Sequence, residues 1–411
     1  MSHGPRPTRS GSFARRSAVL MASFTLLLVS TGCQTSDNDA GKSQTQKDAE
    51  RLARQQSVRD HLERTYAIGP VTSASFGYDV RWQFPIPGER IKFMTPHDDR
   101  LFIVTAKNDL LCLQADNGRR IWTVSVAREL QDVHSVTYIP ESELVLVLAD
   151  SILLTLDANT GMTKTAVLGK AHQNLDWIAS TPGVLSGEHL IYGSRNGQLI
   201  WQAWEIGFGW KAYQVAHSIR ISPVLRSGIV CCVSPDGIVS AFAARDATQL
   251  WNTKLLDSIV SKPAASDHAI YVSGVDQHLR AFDIHSGRTL WRVLTENALV
   301  DDPILIGDHV YQQIPGKGLA SFTALPVNKL DGELNWTCDS NSGTVLTRNG
   351  DTLVTWDPDA RVLATISATQ GTPVFSKEFP KIVQVISDDV RNGTLLAINE
   401  DGQLVCLNPL R

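Results

Sequence analysis

Apolar residues in this chain occur in short runs that are separated by turn-forming residues, with no long helical period. Between positions 269 and 293, AIYVSG is typical of a strand, VDQ of a turn, HLRAFDI of a strand, HSG of a turn and RTLWRV of a strand. The run PILIGD then begins a similar series. The pattern predicts four short antiparallel strands in each unit of roughly 40 residues.

The unit recurs along the chain. When copies are aligned on the residue that closes LRAFDIHSGRTLW, the closing positions fall at intervals of 38 to 48 residues. They are Trp122, Thr165, Tyr213, Trp251, Trp291, Trp336 and Phe375. The copies are not identical. Thr165 replaces the aromatic residue, Ala247 replaces a turn glycine, and the copy ending at Trp336 is lengthened.

An eighth copy is split between the two ends of the chain. The C-terminal LVCLNPLR has the third strand of the unit but lacks the strand that carries the aromatic residue. That strand occurs near the start instead, in YDVRWQF, where Trp82 lies 40 residues before Trp122. The sequence therefore predicts an all-β, eight-bladed propeller of four-stranded blades that is closed by an N-terminal strand.

The recurring Trp gives each blade a large apolar surface to bury against the next blade. Burying 150–250 Å² at ~25 cal/mol/Å² contributes roughly 4–6 kcal/mol as an upper estimate. The turn chemistry agrees with the prediction. Asp283 can accept hydrogen bonds from backbone amides of the turn, and Gly287 can adopt a positive φ without steric cost.

The repeat A-[LF]-D-x-x-[ST]-G-x-x-x-W resembles that of the PQQ-type, or quinoprotein, β-propellers. AFDIHSGRTLW matches it almost fully, and LDANTG matches its first half. The resemblance extends over about residues 78–411, and within the family the chain is most similar to the BamB-type lipoproteins. It implies a non-catalytic interaction scaffold with a membrane-associated protein partner, the outer-membrane β-barrel assembly machinery.

The N-terminus predicts export. Residues 1–33 contain Arg15-Arg16, an apolar run too short to span a membrane comfortably, and STGC. Gly32-Cys33 resembles the end of a lipoprotein signal, which implies lipidation of Cys33 and an outer-membrane position facing the periplasm. Ser30 stands where an aliphatic residue is usual, so a plain periplasmic or secreted protein, or an uncleaved anchor, is the alternative.

Between the signal and the propeller, residues 34–77 form a polar tether followed by a helix. QKDAERLARQQSVRDHLERTYA is free of Gly and Pro and rich in helix-forming residues, but its apolar face is narrow. The helix is either solvated or bound to a partner.

The composition does not indicate a nucleic-acid-binding surface. The net charge is −4, and 19% of residues are charged. We expect a monomeric propeller.

The remaining residues with reactive side chains favour structural roles. Cys112 and Cys406 occupy equivalent strand positions, and the adjacent Cys231 and Cys232 point to opposite faces of one strand. The sequence contains no CxxC, HExxH, GxSxG or P-loop pattern. We therefore expect no catalytic residue, no metal ligand and no cofactor.

The alternative function is a periplasmic dehydrogenase that binds PQQ and Ca²⁺ on the propeller axis, or a ligand-sensing propeller. A dehydrogenase would need long loops that supply carboxylates, an Arg and an aromatic floor for the cofactor. Asp301-Asp302 could be offered as ligands. However, four strands nearly exhaust each repeat, which favours the scaffold.

One irregular copy suggests a partner contact. Aligned on Tyr213, the segment Gly207-Phe208-Gly209-Trp210 falls on the turn that is His285-Ser286-Gly287-Arg288 in the regular copy. Turn tips are normally solvated, so Phe208 and Trp210 would place large apolar groups in water. They either fold back over a neighbouring element or form a docking point for a membrane partner.

Overall fold

The fold follows the predicted alternation of short strands and turns. In this computed structural model, residues 43–86, 90–166 and 168–410 are described. The described residues divide into two units, with the boundary between residues 54 and 55. Helix α1 (Gln44–Thr65) begins in the first unit and has no buried residue, as its narrow apolar face predicts. A short helix, α2 (Pro70–Ser75), follows it in the second unit.

The strands of the second unit form eight four-stranded antiparallel sheets. Strand β1 (Tyr78–Pro85) precedes the first complete blade. Blade 1 contains β2 (Ile91–His97), β3 (Arg100–Thr105), β4 (Asp109–Gln114) and β5 (Arg120–Ser125). Blade 2 contains β6 (Val133–Ile139), a 3₁₀ turn (Pro140–Ser142), β7 (Leu144–Ala149), β8 (Ile152–Asp157) and β9 (His172–Asn174). Blade 3 contains β10 (Val184–Ser186), β11 (His189–Gly193), β12 (Gln198–Ala203) and β13 (Phe208–Gln214). Blade 4 contains β14 (Val224–Arg226), β15 (Ile229–Val233), β16 (Ile238–Ala243) and β17 (Gln249–Lys254).

The second half of the ring repeats this arrangement. Blade 5 contains β18 (Ala264–Ala265), β19 (Ala269–Ser273), β20 (His278–Asp283) and β21 (Thr289–Leu294). Blade 6 contains β22 (Ile304–Ile306), β23 (His309–Ile314), β24 (Gly318–Thr323) and β25 (Leu334–Cys338). Blade 7 contains β26 (Thr344–Asn349), β27 (Thr352–Asp357), β28 (Val362–Ser367) and β29 (Pro373–Glu378). Blade 8 contains β30 (Ile382–Ser387), β31 (Leu395–Asn399) and β32 (Gln403–Pro409), and β1 completes it.

The N-terminal strand closes the ring, as predicted. Strand β1 pairs antiparallel with β32, and Trp82 lies opposite Cys406. The first strands of blades 3 to 6 contact one another in order, and so do those of blades 7 and 8, as expected for strands that surround the axis. Because strand direction alternates, the turns after the first and third strands of each blade lie on one face of the ring. We call this the turn face.

Tryptophans join the blades through one repeated contact. Each indole Nε1–H donates to a backbone carbonyl of the next blade, and the pairs are Trp82–Ala115, Trp122–Ala158, Trp251–Ile284, Trp291–Ala324 and Trp336–Ala368, at 2.8–2.9 Å. The ring also covers the turn of the next blade closely. A Cβ added to Gly287, whose φ is +69°, would lie 2.5 Å from the ring of Trp251. The turn glycine therefore provides space for the indole as well as the positive φ.

Blade 3 corrects the alignment on Tyr213. In blade 5, Trp291 lies opposite Ala281, next to a bulge, and in blade 3 the corresponding pair is Lys211 with Trp201. Trp201 is fully buried, and its Nε1–H donates to the carbonyl of Ala244 in blade 4 at 2.9 Å. The blade-joining indole therefore comes from the third strand, and Tyr213 lies two residues beyond the repeat position.

Two other blades replace the indole in different ways. In blade 2, Thr165 precedes the outer strand, and Gln173 on β9 donates from Nε2 to the carbonyl of Trp204 at 2.6 Å. Phe375 in blade 7 packs instead against Phe76, which follows α2, with ring centroids 5.5 Å apart. The segment between α2 and β1 thus provides the aromatic ring that packs on Phe375.

Candidate partner-binding surface

The irregular segment of blade 3 forms an outer strand rather than a turn tip. The turn consists of residues 204–207, and Phe208 pairs with Ala203 at the beginning of β13. The predicted placement of Phe208 and Trp210 in the turn is therefore wrong by two residues, for the same reason as the placement of Tyr213. Gly207, not Gly209, has the positive φ of the turn glycine, at +87°.

The corrected register makes Phe208 the more unusual residue. The equivalent positions follow the turn glycine, or Ala247 in blade 4, and they are polar in five blades: Arg119, Thr248, Arg288, Glu333 and Thr372. Blade 2 has Met162 there, so apolar side chains occupy this position in two neighbouring blades. Trp210 lies at the bulged position, where exposed apolar residues such as Ile121 and Leu250 also occur.

Exposed apolar side chains occur on the outer edges of the neighbouring blades 2 and 3. Besides Phe208, at 48% exposure, and Trp210, at 41%, the turn carries the exposed Ile206. The long connection of blade 2 contributes Leu168, whose neighbour Gly169 lies directly against the carbonyl of Glu205. We call Met162, Leu168, Ile206, Phe208 and Trp210 the rim patch.

Neighbouring side chains hold the indole of Trp210 in the rim patch. Trp210 packs against His189 of its own blade, with ring centroids 4.7 Å apart and ring planes tilted by 33°, and Lys211 Nζ lies 5.8 Å from the indole centroid. Burial lowers the pKa of His189, which favours a neutral imidazole beneath the indole. Trp210 is therefore fixed in one orientation. Such pre-organisation reduces the entropy lost on binding.

A close backbone contact supports β13 from behind. A Cβ added to Gly209 would lie 2.4 Å from the ring of Trp177, so the strand approaches that indole as closely as a glycine allows. The hydroxyl of Tyr192 donates to the carbonyl of Trp177 at 3.3 Å. The aromatic residues of the rim patch thus rest on a packed support.

Burial shifts the pKa values of two adjacent cysteines and of the Asp301-Asp302 pair. Cys231 and Cys232 lie in separate core clusters on opposite faces of β15, and burial raises the pKa of both thiols. Burial and then the neighbouring Asp302 raise the pKa of Asp301. Within residues 43–86, 90–166 and 168–410, no group of three or more His, Cys, Asp or Glu residues is placed to hold a metal ion.

Known proteins share both the sequence pattern and the architecture. The family described as "Outer membrane protein assembly factor BamB" matches residues 79–193 and 186–324, more than half of the chain. The chain belongs to this family. The matched range runs from β1 into blade 6 and includes the rim patch. No curated protein matches the chain.

Solved structures share the fold of this BamB-family chain at low sequence identity. The crystal structure of BamB from Moraxella catarrhalis has a TM-score of 0.61 and 18% identity, over 79% of this chain and 97% of that one. The computationally designed Ika8 protein has a TM-score of 0.62 and 13% identity, over 80% and 99% of the two chains. At such identities, the likeness establishes the fold alone.

The proposed membrane anchor lies outside the described residues. Residues 1–33 and the lipidation site Cys33 belong to that part of the sequence. Among described helices, none has the length and apolar character needed to cross a membrane.

Proposed function

We propose that this protein is a non-catalytic interaction scaffold that is anchored to the outer membrane through Cys33 and assists outer-membrane protein assembly from the periplasmic side. Membership of the BamB family supports the general role. The rim patch is the observation that carries the proposal, because five apolar side chains are exposed on the outer edges of two neighbouring blades. Aromatic anchors on a rigid support are typical of binding hot spots.

Affinity purification from membranes of the native host tests the role. An outer-membrane barrel-assembly protein should co-purify with the wild-type chain. The competing dehydrogenase function predicts instead that the purified protein acquires cofactor absorbance when PQQ and Ca²⁺ are added. That second result, without a co-purifying assembly protein, would contradict the scaffold.

Replacement of Phe208 by Ser and Trp210 by Lys should abolish co-purification while leaving the melting temperature nearly unchanged. Both rings are about half exposed, so the fold loses little burial, whereas an apolar contact loses its anchors. Ile121→Ser with Leu250→Lys, at exposed positions of other outer strands, provides the matched control and should retain the partner. A large fall in melting temperature with the partner retained would show that the rings serve packing only.

Cys33→Ala should transfer the protein from the membrane fraction to the soluble or inner-membrane-retained pool without changing the fold. Two or three acyl chains give stable anchoring at about 0.8 kcal/mol per buried CH₂, and the variant cannot receive them. Fractionation and labelling with radioactive palmitate measure the effect. If palmitate never enters the wild-type chain, the lipoprotein hypothesis is wrong.

A further inference from the structure

A concave surface lies on the turn face of the ring in blades 4 to 8 and shares no residue with the rim patch of blades 2 and 3. Two adjoining cavities of about 530 and 340 Å³ share Gly307, Asp308 and Arg391 as lining residues. Their walls come mainly from the turns after the first strands of blades 4 to 8 and from the turn after the third strand of blade 6. We call the two cavities together the turn-face groove.

Blade 8 contributes an enlarged turn to this groove. In blade 6, only residues 307–308 connect the first two strands, whereas residues 388–394 do so in blade 8. The longer turn is firmly held. Arg348 N donates to the carbonyl of Val390, and Asn392 N donates to that of Arg348, both at 2.9 Å. Gly393 N donates to Thr347 Oγ1 at 3.0 Å.

The held turn places a guanidinium at the centre of the groove. Arg391 Nη2 lies only 2.7 Å from the position that a Cβ on Gly307 would occupy. Arg348 also lines the groove and donates from Nε to the carbonyl of Gly350 at 2.8 Å. In the part of the chain that the structure describes, neither Arg348 nor Arg391 forms an ion pair within 4.0 Å, but Arg348 interacts electrostatically with Asp351 and with the Tyr311 hydroxyl. A third arginine, Arg226, is already paired with Asp267 at 2.8 Å.

The other end of the groove is partly apolar. Tyr271, Leu305, Leu325 and Val390 line the larger cavity, and Leu325 and Val390 are both more than 40% exposed. The groove therefore joins two guanidinium groups, neither of which forms a close ion pair with a described residue, to an accessible apolar wall. Most small-molecule sites have this composition of apolar walls and a few fixed polar groups.

We propose that the turn-face groove binds a ligand with an oxyanion, a carboxylate or phosphate, attached to an apolar group. Arg391 and Arg348 hold the oxyanion, since guanidinium groups bind planar oxyanions through charge-assisted hydrogen bonds. The apolar group lies against Leu325 and Val390. The proposal is independent of the scaffold function and uses none of the rim-patch residues.

Charges of both signs face the proposed oxyanion position. His309 lines the smaller cavity, and burial, with a contribution from Arg348, lowers its pKa. Asp308 lines both cavities and opposes an anion by like-charge repulsion. Asp308 therefore offers a variant in which binding should become stronger rather than weaker.

Equilibrium dialysis of the full chain against three probes tests the proposal. The probes are N-acetyl-L-phenylalanine, its neutral primary amide and inorganic phosphate. We expect the carboxylate probe to bind at least about ten-fold more tightly than the amide, because only the carboxylate accepts charge-assisted hydrogen bonds. Tighter binding of phosphate than of the carboxylate probe would support the oxyanion site and assign phosphate as its ligand.

Variants locate the binding within the groove. Arg391→Gln and Arg348→Gln should each weaken the carboxylate probe about ten-fold or more, with unchanged melting temperatures. Asp308→Asn should strengthen it about two- to five-fold. Arg226→Gln, in the same groove but already paired, should change it less than about two-fold. Equal binding of acid and amide, or full binding by folded Arg391→Gln, would overturn the proposal.

Discussion

Deletion of residues 1–85 should leave a chain that cannot form a stable monomeric ring. The deletion removes β1 and exposes the edge of β32 along its whole length, and it removes the buried Trp82 and Tyr78. Tyr78 is fully buried and donates from its hydroxyl to the carbonyl of Gly393 at 3.0 Å. Size-exclusion chromatography and near-ultraviolet circular dichroism should show aggregated or loosely packed protein.

A shorter deletion provides the control. Removal of residues 1–54 takes away only exposed parts of α1 among the described residues and keeps Glu63, whose carboxylate accepts from the backbone of Val71 at 2.7 Å. This variant should melt within a few degrees of the wild type. A stable, monomeric ring from the longer deletion would show that β1 does not hold the propeller closed.

Trp201→Ala should destabilise the ring by about 3–5 kcal/mol, because it leaves a cavity between blades 3 and 4. It also removes the indole donor to Ala244. Equilibrium unfolding in urea measures the loss as a lower midpoint. Lys211→Ala, at the position where other blades carry the joining Trp, should change stability by less than about 0.5 kcal/mol. The reverse order of effects would refute the revised register of blade 3.

The strand repeat and closure could be predicted because their signals are local. Turn glycines, alternating apolar runs and Trp82 at the repeat interval are visible without knowledge of tertiary contacts. The alignment of blade 3 on Tyr213 is wrong because it follows the aromatic residue, although Gly207 and Lys211 have the same spacing as Gly287 and Trp291. The turn glycine is the more reliable marker for aligning the blades. A positive φ strongly limits which residue types can occupy a position, whereas a buried surface accepts many apolar residues.

Other features depend on long-range contacts that the sequence does not mark. Gln173 can take the place of an indole only because the long connection after β8 brings β9 back to pair with β8. The turn-face groove depends similarly on Arg391 reaching Gly307, which lies two blades away. A surface Arg in a polar turn gives no sign of such an approach. Ala247 is a further example: it occupies the place of a turn glycine with a φ of +57°, and it lies in the same core cluster as Trp201 of the neighbouring blade.

The pairing of β1 with β32 has a kinetic consequence. Val80 lies opposite Leu407, so this contact joins positions more than 300 residues apart. Bringing such distant segments together costs loop-closure entropy of about 5 kcal/mol, by the logarithmic dependence on loop length. Within each blade, by contrast, hairpins form between near neighbours. The pairing of β1 with β32 is therefore expected to form late in folding. The folding rate should depend on this one contact between distant parts of the chain more than on the many local contacts.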